Sequence, residues 1–480
     1  MKSINSVKIN ERIIKDGVVY TPNYIVINML DEIKYKGKKI LNKHIVDNSC
    51  GEGAFLVEIT KRYLKELLKL KKNRLDVKKH LEKYIHGIEI DPISYKICIS
   101  NLNNVLLENG IKVKINWNII NGDTLECTQF LNKMDYVVGN PPYIRIHDLN
   151  IDYKKYNFCT KGMIDLYLIF FEIGLNMLNE KGKLIYITPN SYFTSNAANV
   201  FRKYLIDKSM LETVINLGHF NPFKGITTYP AITVISKIKN KKTKYKEYDS
   251  INNFNFEIDI LEKKEFYIND CFYFSKTKQL LKFSEILNVK KNNDLFVRNG
   301  ISTNLDSFFI NDSYTGSYVV EAMKISKMKL TKMFYPYDED GNTVPLNIIK
   351  NENKNMYNLL LNNKEILSKR SLQSQNWFEF ARTQGIKDVN KNKLVINNII
   401  KTVNTIKTKI LKPGIVPYSG YYVISEKYDL KYIENLIYDQ EFIEYLKILR
   451  KDKNGEYYFF SSNDLHQYLS YKIYKINQKN

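Results

Sequence analysis

The first half of the chain alternates between short apolar runs and longer amphipathic stretches. Apolar runs at 44–47 and 84–89 are followed by helical patterns at 54–71 and 92–109, and the alternation continues to about residue 240. The lysine-rich segment between residue 71 and the run at 84–89 is expected to be a connection. A helix is the usual connection between parallel strands, because the chain must cross back over the sheet before the next strand begins. The alternation therefore predicts an α/β fold with helices on both faces of a mostly parallel sheet.

The alternation is lost after about residue 240. Residues 237–248 form a basic run of low hydrophobicity that predicts a linker, and beyond it short strands, helices and many aromatic side chains are mixed. A length of 480 residues is compatible with two large domains. We therefore expect a first domain at 1–240 and a second, α+β domain at 241–480.

Composition excludes several classes of protein. The five Cys contain no C-x-x-C pair and the six His are scattered, which argues against a disulfide scaffold and against a metal site. No apolar stretch is long enough to cross a membrane, and the N-terminus lacks a hydrophobic signal, so we expect a cytoplasmic protein without membrane contact. The net charge of +22 favours a polyanionic partner, although abundant Lys, Asn, Ile and Tyr also fit an A/T-rich genome.

Three predicted strands end in acidic or glycine-rich motifs. The first runs from Asp47 to Gly53 (DNSCGEG), the second contains Glu89 (GIEID), and the third contains Asp123 (NGD). Glycines let the backbone approach a ligand closely, and an acid at a strand tip can accept from ribose hydroxyls or from an amine. Each motif alone is also compatible with an ordinary turn, but together they predict a nucleoside-like ligand at the carboxyl edge of the sheet.

The tetrapeptide Asn140-Pro141-Pro142-Tyr143 follows the predicted strand at 134–139. The prolines stiffen the loop, so that the Asn140 side-chain oxygen and the Pro141 carbonyl can both accept from one amino group. An amine on a heteroaromatic ring is a poor nucleophile because its lone pair is delocalised. Two acceptors favour a more tetrahedral nitrogen, and Tyr143 can stack on the ring. The loop is therefore typical of a site that activates an aromatic amine.

These motifs resemble those of a known family. In chain order, DNSCGEGAFL, IHGIEID, NGD and MDYVVGNPPYIRI closely resemble the cofactor and catalytic motifs of amino-group DNA methyltransferases. Their order is that of the gamma class of N6-adenine enzymes, the type II restriction-modification methylases with an N-P-P-Y motif. The resemblance covers about residues 15–240, and further similar segments lie at 19–22, 161–171, 182–191 and 221–235.

The resemblance implies a class I S-adenosylmethionine-dependent methyltransferase, with a Rossmann-like, mostly parallel seven-stranded sheet, followed by an α+β target-recognition domain. It implies S-adenosylmethionine as cofactor. Thr21 would touch its methionine end, Glu89 would hold its ribose, and Asp123 would bind its adenine amine. The residues implied to line it in the first motif are Asp47, Ser49, Cys50, Gly51 and Gly53. Asn48 stands where the family usually has proline, which we expect to have a local effect only.

For the target base, the resemblance implies that Asn140 and Pro141 accept from the adenine N6 within the catalytic loop completed by Pro142. Tyr143 would stack on the base. A second aromatic is expected from the last motif, where Phe223 is preferred over Tyr229.

The implied reaction is methyl transfer to the N6 of an adenine flipped out of double-stranded DNA. The enzyme would be either the modification half of a restriction-modification system with a separate cognate endonuclease or an orphan regulatory methylase. A monomer is the default state. The sequence leaves open methylation of RNA adenine, of cytosine N4 or of protein glutamine, and a non-catalytic DNA-binding or specificity subunit. In the second domain, residues 369–384 suit groove contact or, alternatively, an amphipathic element that buries Trp377 and Phe380.

Overall fold

The computed structural model describes residues 20–146, 149, 152–159, 162–223, 228–248, 258–372, 376–453 and 456–478. The chain divides into two compact units between Leu280 and Leu281. Among the described residues, no helix combines the length and the apolar character needed to cross a membrane.

The first unit is built on one large sheet and the helices that connect its strands. The strands are β1 (Ile45–Asp47), β2 (Ile85–Glu89), β3 (Asn118–Asn121), β4 (Met134–Gly139), β5 (Leu178–Pro189), β6 (Leu211–Asn216), β7 (Pro230–Ser236), β8 (Lys242–Glu247), β9 (Ile258–Glu262), β10 (Tyr267–Ile268) and β11 (Cys271–Phe272). The helices are α1 (Asn23–Glu32), α2 (Ala54–Lys69), α3 (Arg74–Tyr84), α4 (Pro92–Glu108), α5 (Leu166–Met177), α6 (Asn199–Lys208) and α7 (Lys263–Phe266). Helix α8 (Thr277–Asn288) runs across the division between the units.

The large sheet has the strand order β3-β2-β1-β4-β5-β7-β6-β8-β9. The first five strands in this order are parallel, while β7 runs antiparallel to both β5 and β6. Apolar residues of α1, α2 and α4 pack in one core with β1 and β2. The α/β class is therefore confirmed, but the sheet has nine strands among the described residues rather than the predicted seven.

The two additional strands lie beyond the predicted boundary at residue 240. Strand β8 occupies half of the basic run 237–248, so the prediction of a linker there is wrong. Thr243 and Tyr245 of β8 are buried while Lys242 and Lys244 are exposed, which is the alternation of a half-buried strand. The high lysine content concealed that alternation.

A second error concerns the lysine-rich segment after α2, which the sequence pattern placed in a connection. Helix α3 forms there because Asn73 caps it, accepting a hydrogen bond from the Asp76 N–H at 2.9 Å. Val77 and Leu81, four residues apart, are buried on its inner face. A cap followed by this spacing was the signal that the lysines obscured.

The second unit combines small sheets with helices, in agreement with the α+β expectation. Its strands are β12 (Leu295–Asn299), β13 (Val319–Lys324), β14 (Lys329–Phe334), β15 (Lys393–Ile396), β16 (Ile399–Ile400), β17 (Thr408–Leu411), β18 (Val416–Tyr418), β19 (Tyr421–Ser425), β20 (Asp452–Lys453) and β21 (Tyr457–Phe459). Its helices are α9 (Asp306–Phe309), α10 (Leu346–Glu352), α11 (Lys354–Asn362), α12 (Lys364–Ser368), α13 (Leu430–Ile437), α14 (Gln440–Leu449) and α15 (Ser462–Asn477). The described sheets have the orders β12-β19-β15-β17, β14-β13-β18 and β16-β21-β20.

Candidate functional site

The carboxyl ends of the parallel strands bring the predicted motifs to one edge of the sheet. Asp47 at the end of β1 is in register with Gly87 of β2 and with Val138 of β4, and Glu89 at the end of β2 is in register with Asn121 of β3. Strand ends that are far apart in sequence therefore lie at the same level of the sheet.

Glu89 holds two loops together through its carboxylate. Its Oε2 accepts from the Gly51 N–H at 2.7 Å and its Oε1 accepts from the Asp91 N–H at 2.9 Å. Burial raises the pKa of the Glu89 carboxyl, and the backbone donors oppose that effect. The loop after β3 is tied to the same place, because the Asn121 amide and the Gly122 N–H both donate to the Glu89 carbonyl. The three acidic motifs thus form one connected edge.

The glycine-rich turn is shaped by close packing. Gly53 has φ +92°, and a side chain there would place its Cβ 2.8 Å from the Cys98 Sγ. The Cys50 side chain is buried against Cys98, and that contact together with burial raises the pKa of the Cys50 thiol. The Cys50 backbone N–H donates to the Ile88 carbonyl at 3.0 Å. The Cys50 side chain therefore packs in the core beneath the turn. The sequence pattern did not show whether this side chain contacts the core or a ligand.

Asp47 and Ser49 lie next to Gly139, the residue that leads into the predicted catalytic loop at 140–143. The Ser49 N–H donates to the Asp47 Oδ1 at 3.1 Å, and burial raises the pKa of the Asp47 carboxyl to about 8. Gly139, the residue before the catalytic loop, approaches so closely that an added Cβ would lie 3.0 Å from the Asp47 Oδ1 and 3.3 Å from the Ser49 Oγ. The first motif is therefore packed against the end of β4, from which the predicted catalytic loop continues.

Two buried polar atoms in the first motif are unsatisfied. Among the residues that the structure describes, neither the Asn48 Nδ2 nor the Ser49 Oγ has a hydrogen-bond partner. A buried polar atom without a partner is costly, so this edge is suited to a polar ligand. The Asn48 Oδ1 accepts from the Tyr186 hydroxyl at 2.8 Å, which joins the loop to β5 and leaves the glycines undisturbed. The expectation of a local effect at Asn48 agrees with this contact.

Asn140 is positioned by Thr21. The Asn140 Nδ2 donates to the Thr21 Oγ1 at 3.1 Å, and Thr21 is buried. With the Asn140 nitrogen turned to Thr21, the side-chain oxygen is the end that can accept from a substrate amine. The sequence placed Thr21 at the cofactor and gave no sign of its contact with the catalytic loop.

The structure brings Tyr143 close to Phe223, the residue that the sequence analysis favours as the second aromatic. Their ring centroids are 6.1 Å apart at an interplanar angle of 73°, and the Tyr143 hydroxyl donates to the Ile187 carbonyl at 3.2 Å. Burial raises the pKa of Tyr143 above its ordinary value. Tyr229 instead packs edge-on against His219, with ring centroids 5.4 Å apart. Of the segments expected around the site, residues 19, 161 and 224–227 lie outside the described part of the chain.

Tyr156 lies near Asp123, and sequence analysis missed it. The Asp123 Oδ1 accepts from the Leu125 N–H at 2.9 Å. Burial, followed by the charge of Asp123, raises the pKa of Tyr156 to about 12, and the buried Tyr156 hydroxyl has no partner among the described residues. The Tyr156 segment is anchored by Glu172, which accepts from the Phe158 N–H at 2.8 Å. The available signal was Glu172 itself, an acid within the apolar α5.

Comparison with known proteins agrees with this geometry. The family described as Eco57I restriction-modification methylase matches residues 54–223. The type II methyltransferase M.BstVI of Geobacillus stearothermophilus is 34% identical over 238 residues, which are 47% of this chain and 42% of that protein. The type II restriction enzyme and methyltransferase RM.Eco57I of Escherichia coli is 28% identical over 390 residues, which are 64% of this chain and 38% of that protein. The chain thus spans less than half the length of either relative.

Solved structures share the fold. The type IIL restriction-modification enzyme MmeI, solved in complex with DNA, superposes with a TM-score of 0.60 at 14% identity, covering 94% of this chain and 66% of that one. A nuclease-deletion mutant of the type ISP enzyme LlaGI, solved with a DNA substrate mimic, gives 0.52 at 18% identity, covering 85% and 48%. The segment that is similar to the Eco57I restriction-modification methylases, residues 54–223, contains Glu89, Asp123, the loop at 140–143 and Phe223.

Proposed function

We propose that this chain is a site-specific DNA methyltransferase that transfers a methyl group from S-adenosylmethionine to the N6 of adenine in double-stranded DNA. The observation that carries the proposal is the contact between the two halves of the site. Gly139 lies against Asp47 and Ser49, so the acceptor loop that begins at Asn140 adjoins the ligand edge of the sheet.

The residues at that edge fit S-adenosylmethionine. The buried Asn48 Nδ2 and Ser49 Oγ call for a polar ligand, and the carboxylates of Glu89 and Asp123 can accept from ribose hydroxyls and from an adenine amine. The binding surface would be completed by Thr21, Asp47, Cys50, Gly51 and Gly53. When bound, the cofactor supplies an electrophilic methyl group.

The catalytic loop acts on the amine. Asn140, held by Thr21, presents its side-chain oxygen, and the Pro141 carbonyl is the second acceptor in a loop stiffened by Pro142. Holding both N6 hydrogens directs the nitrogen lone pair out of the ring plane, toward the electrophile. Tyr143 and Phe223 would flank the extruded base and offset the stacking that it loses on leaving the duplex. Positioning and electrostatics are sufficient for this step, so no base of matched pKa is required.

The partners follow from the same function. A net charge of +22 suits a DNA backbone and implies binding that weakens steeply with salt. Residues 281–480, the second compact unit, would supply sequence recognition. Since the matching family is described as a restriction-modification methylase, a cognate endonuclease acting at the same site is the expected functional partner.

The test is to express the chain in a methylation-free host and to sequence the genomic DNA by a single-molecule method that detects modified bases. We expect N6-methyladenine at one short motif, and its absence with the Asn140→Ala variant. Modified cytosine at the motif, or modified RNA with unmodified DNA, would contradict the proposal. Calorimetry with S-adenosylmethionine on both proteins separates a failure of cofactor binding from a failure of transfer.

A further inference from the structure

A polar cleft lies in the second unit, away from the site described above. It encloses about 460 Å³. Strand β12 contributes Arg298, a turn contributes Asp340 and Gly341, and the segment 383–387 forms the remaining wall. Gly341 has φ +84°, and a Cβ there would lie 2.9 Å from the Ile386 Cγ2, so the two walls meet in tight contact at the base of the cleft.

Arg298 is held in place by a buried acid. Its Nη1 forms an ion pair with the Asp388 carboxylate, whose side chain is only 3% exposed. The Tyr422 hydroxyl donates to the same Asp388 oxygen at 2.9 Å, and Tyr422 is the register partner of Arg298 on β19. The guanidinium is therefore fixed at one corner by groups that the fold itself positions.

The other edge of the guanidinium is available to a ligand. In the described part of the chain, the Nε and Nη2 of Arg298 donate to no protein group, and the Arg298 side chain is 25% exposed. These two nitrogens form the planar fork that matches a pair of acceptors. In the DNA major groove, that pair is the O6 and N7 of guanine.

The other residues that line the cleft are better suited to bind the edges of bases than to bind phosphates. Thr383, Gln384 and Lys387 are exposed, and none of their side chains makes a hydrogen bond to the residues described by the structure. An amide can pair with adenine N6 and N7, and a carboxylate such as Asp340 can accept from cytosine N4. The same carboxylate repels a phosphate, so a purely backbone-binding role fits this mixture poorly.

The structure also shows which residues of the segment 369–384, proposed from the sequence for groove contact, are accessible to DNA. Arg370 is turned inward, where its Nη2 donates to the Trp377 carbonyl at 2.7 Å, and Phe380 is buried. Those residues stabilise the unit. The part of the segment that reaches the cleft is Thr383 and Gln384.

Resting on the proposed DNA methyltransferase function, we propose that this cleft reads a guanine of the target sequence. Arg298 donates from Nε and Nη2 to the guanine O6 and N7, and Gln384 contacts the neighbouring base pair. The ion pair with Asp388 holds the Arg298 side chain in one conformation, which suits recognition of one base rather than general attraction to phosphates.

The experiment compares the full-length chain with Arg298→Lys, which keeps the charge and removes the fork. Arg382→Lys is the matched control, because Arg382 is exposed in the same unit and does not line the cleft. Each protein is tested by selecting bound duplexes from a randomised pool and by sequencing methylated plasmid libraries. We expect Arg298→Lys to lose about ten- to a hundredfold of its preference for guanine at one position, while Arg382→Lys keeps the wild-type motif.

An atomic substitution in the DNA sharpens the assignment. Replacing that guanine by 7-deazaguanine removes the N7 acceptor, so it should weaken wild-type binding several-fold. Arg298→Lys binding should weaken much less, because the single ammonium of lysine stays with the buried Asp388 carboxylate. Gln384→Ala, at an exposed side chain with no partner among the described residues, should relax the motif only at the adjacent position. This second variant keeps the proposal testable if Arg298→Lys unfolds.

The outcomes separate the two proposals. An unaltered motif with folded Arg298→Lys and Gln384→Ala, while the wild type methylates DNA, overturns the role of the cleft alone. A guanine preference in the binding selection that Arg298→Lys loses, without any methylation by the wild type, supports the cleft and overturns the methyltransferase. A wild type that neither selects a motif nor methylates DNA overturns both.

Discussion

Glu89→Gln is the perturbation whose consequences follow most directly from the geometry. The carboxylate accepts from Gly51 at 2.7 Å and from Asp91 at 2.9 Å, one bond on each oxygen. Glutamine keeps the shape but replaces one oxygen by an NH₂ group, which faces a backbone donor. One charge-assisted bond of about 1.5–3 kcal/mol is lost, and the other weakens to about 1 kcal/mol. The free energy of unfolding should fall by about 1–3 kcal/mol, since the site is only partly buried.

The larger effect is expected on cofactor binding. The ribose loses a charged acceptor, and the first motif loses the anchor that positions it, so the Kd for S-adenosylmethionine should rise about ten- to a hundredfold. Isothermal calorimetry measures the Kd, and urea denaturation measures the stability. Glu52→Gln is the control, because it removes the same charge from the same loop at a side chain that makes no hydrogen bond with the described residues. A Glu89→Gln protein whose Kd stays within threefold of the wild type would refute the reasoning.

Three further results are expected. Asn140→Ala should lower kcat by about a hundredfold or more while the Kd for S-adenosylmethionine stays within threefold; retention of a tenth of wild-type methylation at saturating substrate would contradict the acceptor role. Tyr143→Phe removes the hydroxyl bond to Ile187 but keeps the ring, so the free energy of unfolding should fall by about 1 kcal/mol with little loss of kcat, whereas a large loss of kcat would show that the hydroxyl itself participates. Because burial raises the pKa of Asp47 from its ordinary value to about 8, the folded protein holds a proton there between about pH 4 and pH 8 that the unfolded chain has released, and stability falls as pH rises through that window. Urea titrations measure the free energy of unfolding of Asp47→Asn minus that of the wild type. This difference should be larger at pH 9 than at pH 5 by at least about 1.4 kcal/mol, and equal differences at both pH values would argue against a buried, protonated Asp47.

Most of the first unit could be predicted because its signals are local. Each parallel strand is a short apolar run and each helix has a continuous inner face, so β1, β2 and α2 are visible in the sequence pattern alone. The predictions were wrong where lysine dominates, at α3 and β8, since a high charge hides the few buried positions that define an element.

The sequence by itself determined which motifs meet at the edge of the sheet. Strand ends place their following residues at one level, so the order of the motifs around Asp47, Glu89, Asp123 and Asn140 was sufficient to predict that they meet. Strand direction and residue type carry that information without any knowledge of packing.

Only the tertiary structure decided how individual side chains are held. The bond from Asn140 to Thr21 joins residues 119 positions apart, and that from Tyr186 to Asn48 joins residues 138 apart. Likewise, the ion pair of Arg298 with Asp388 distinguishes a fixed guanidinium from the many other cations of a basic chain. Such contacts depend on which rotamers fill the space between packed elements, and that choice is made by the whole core rather than by any local stretch of sequence.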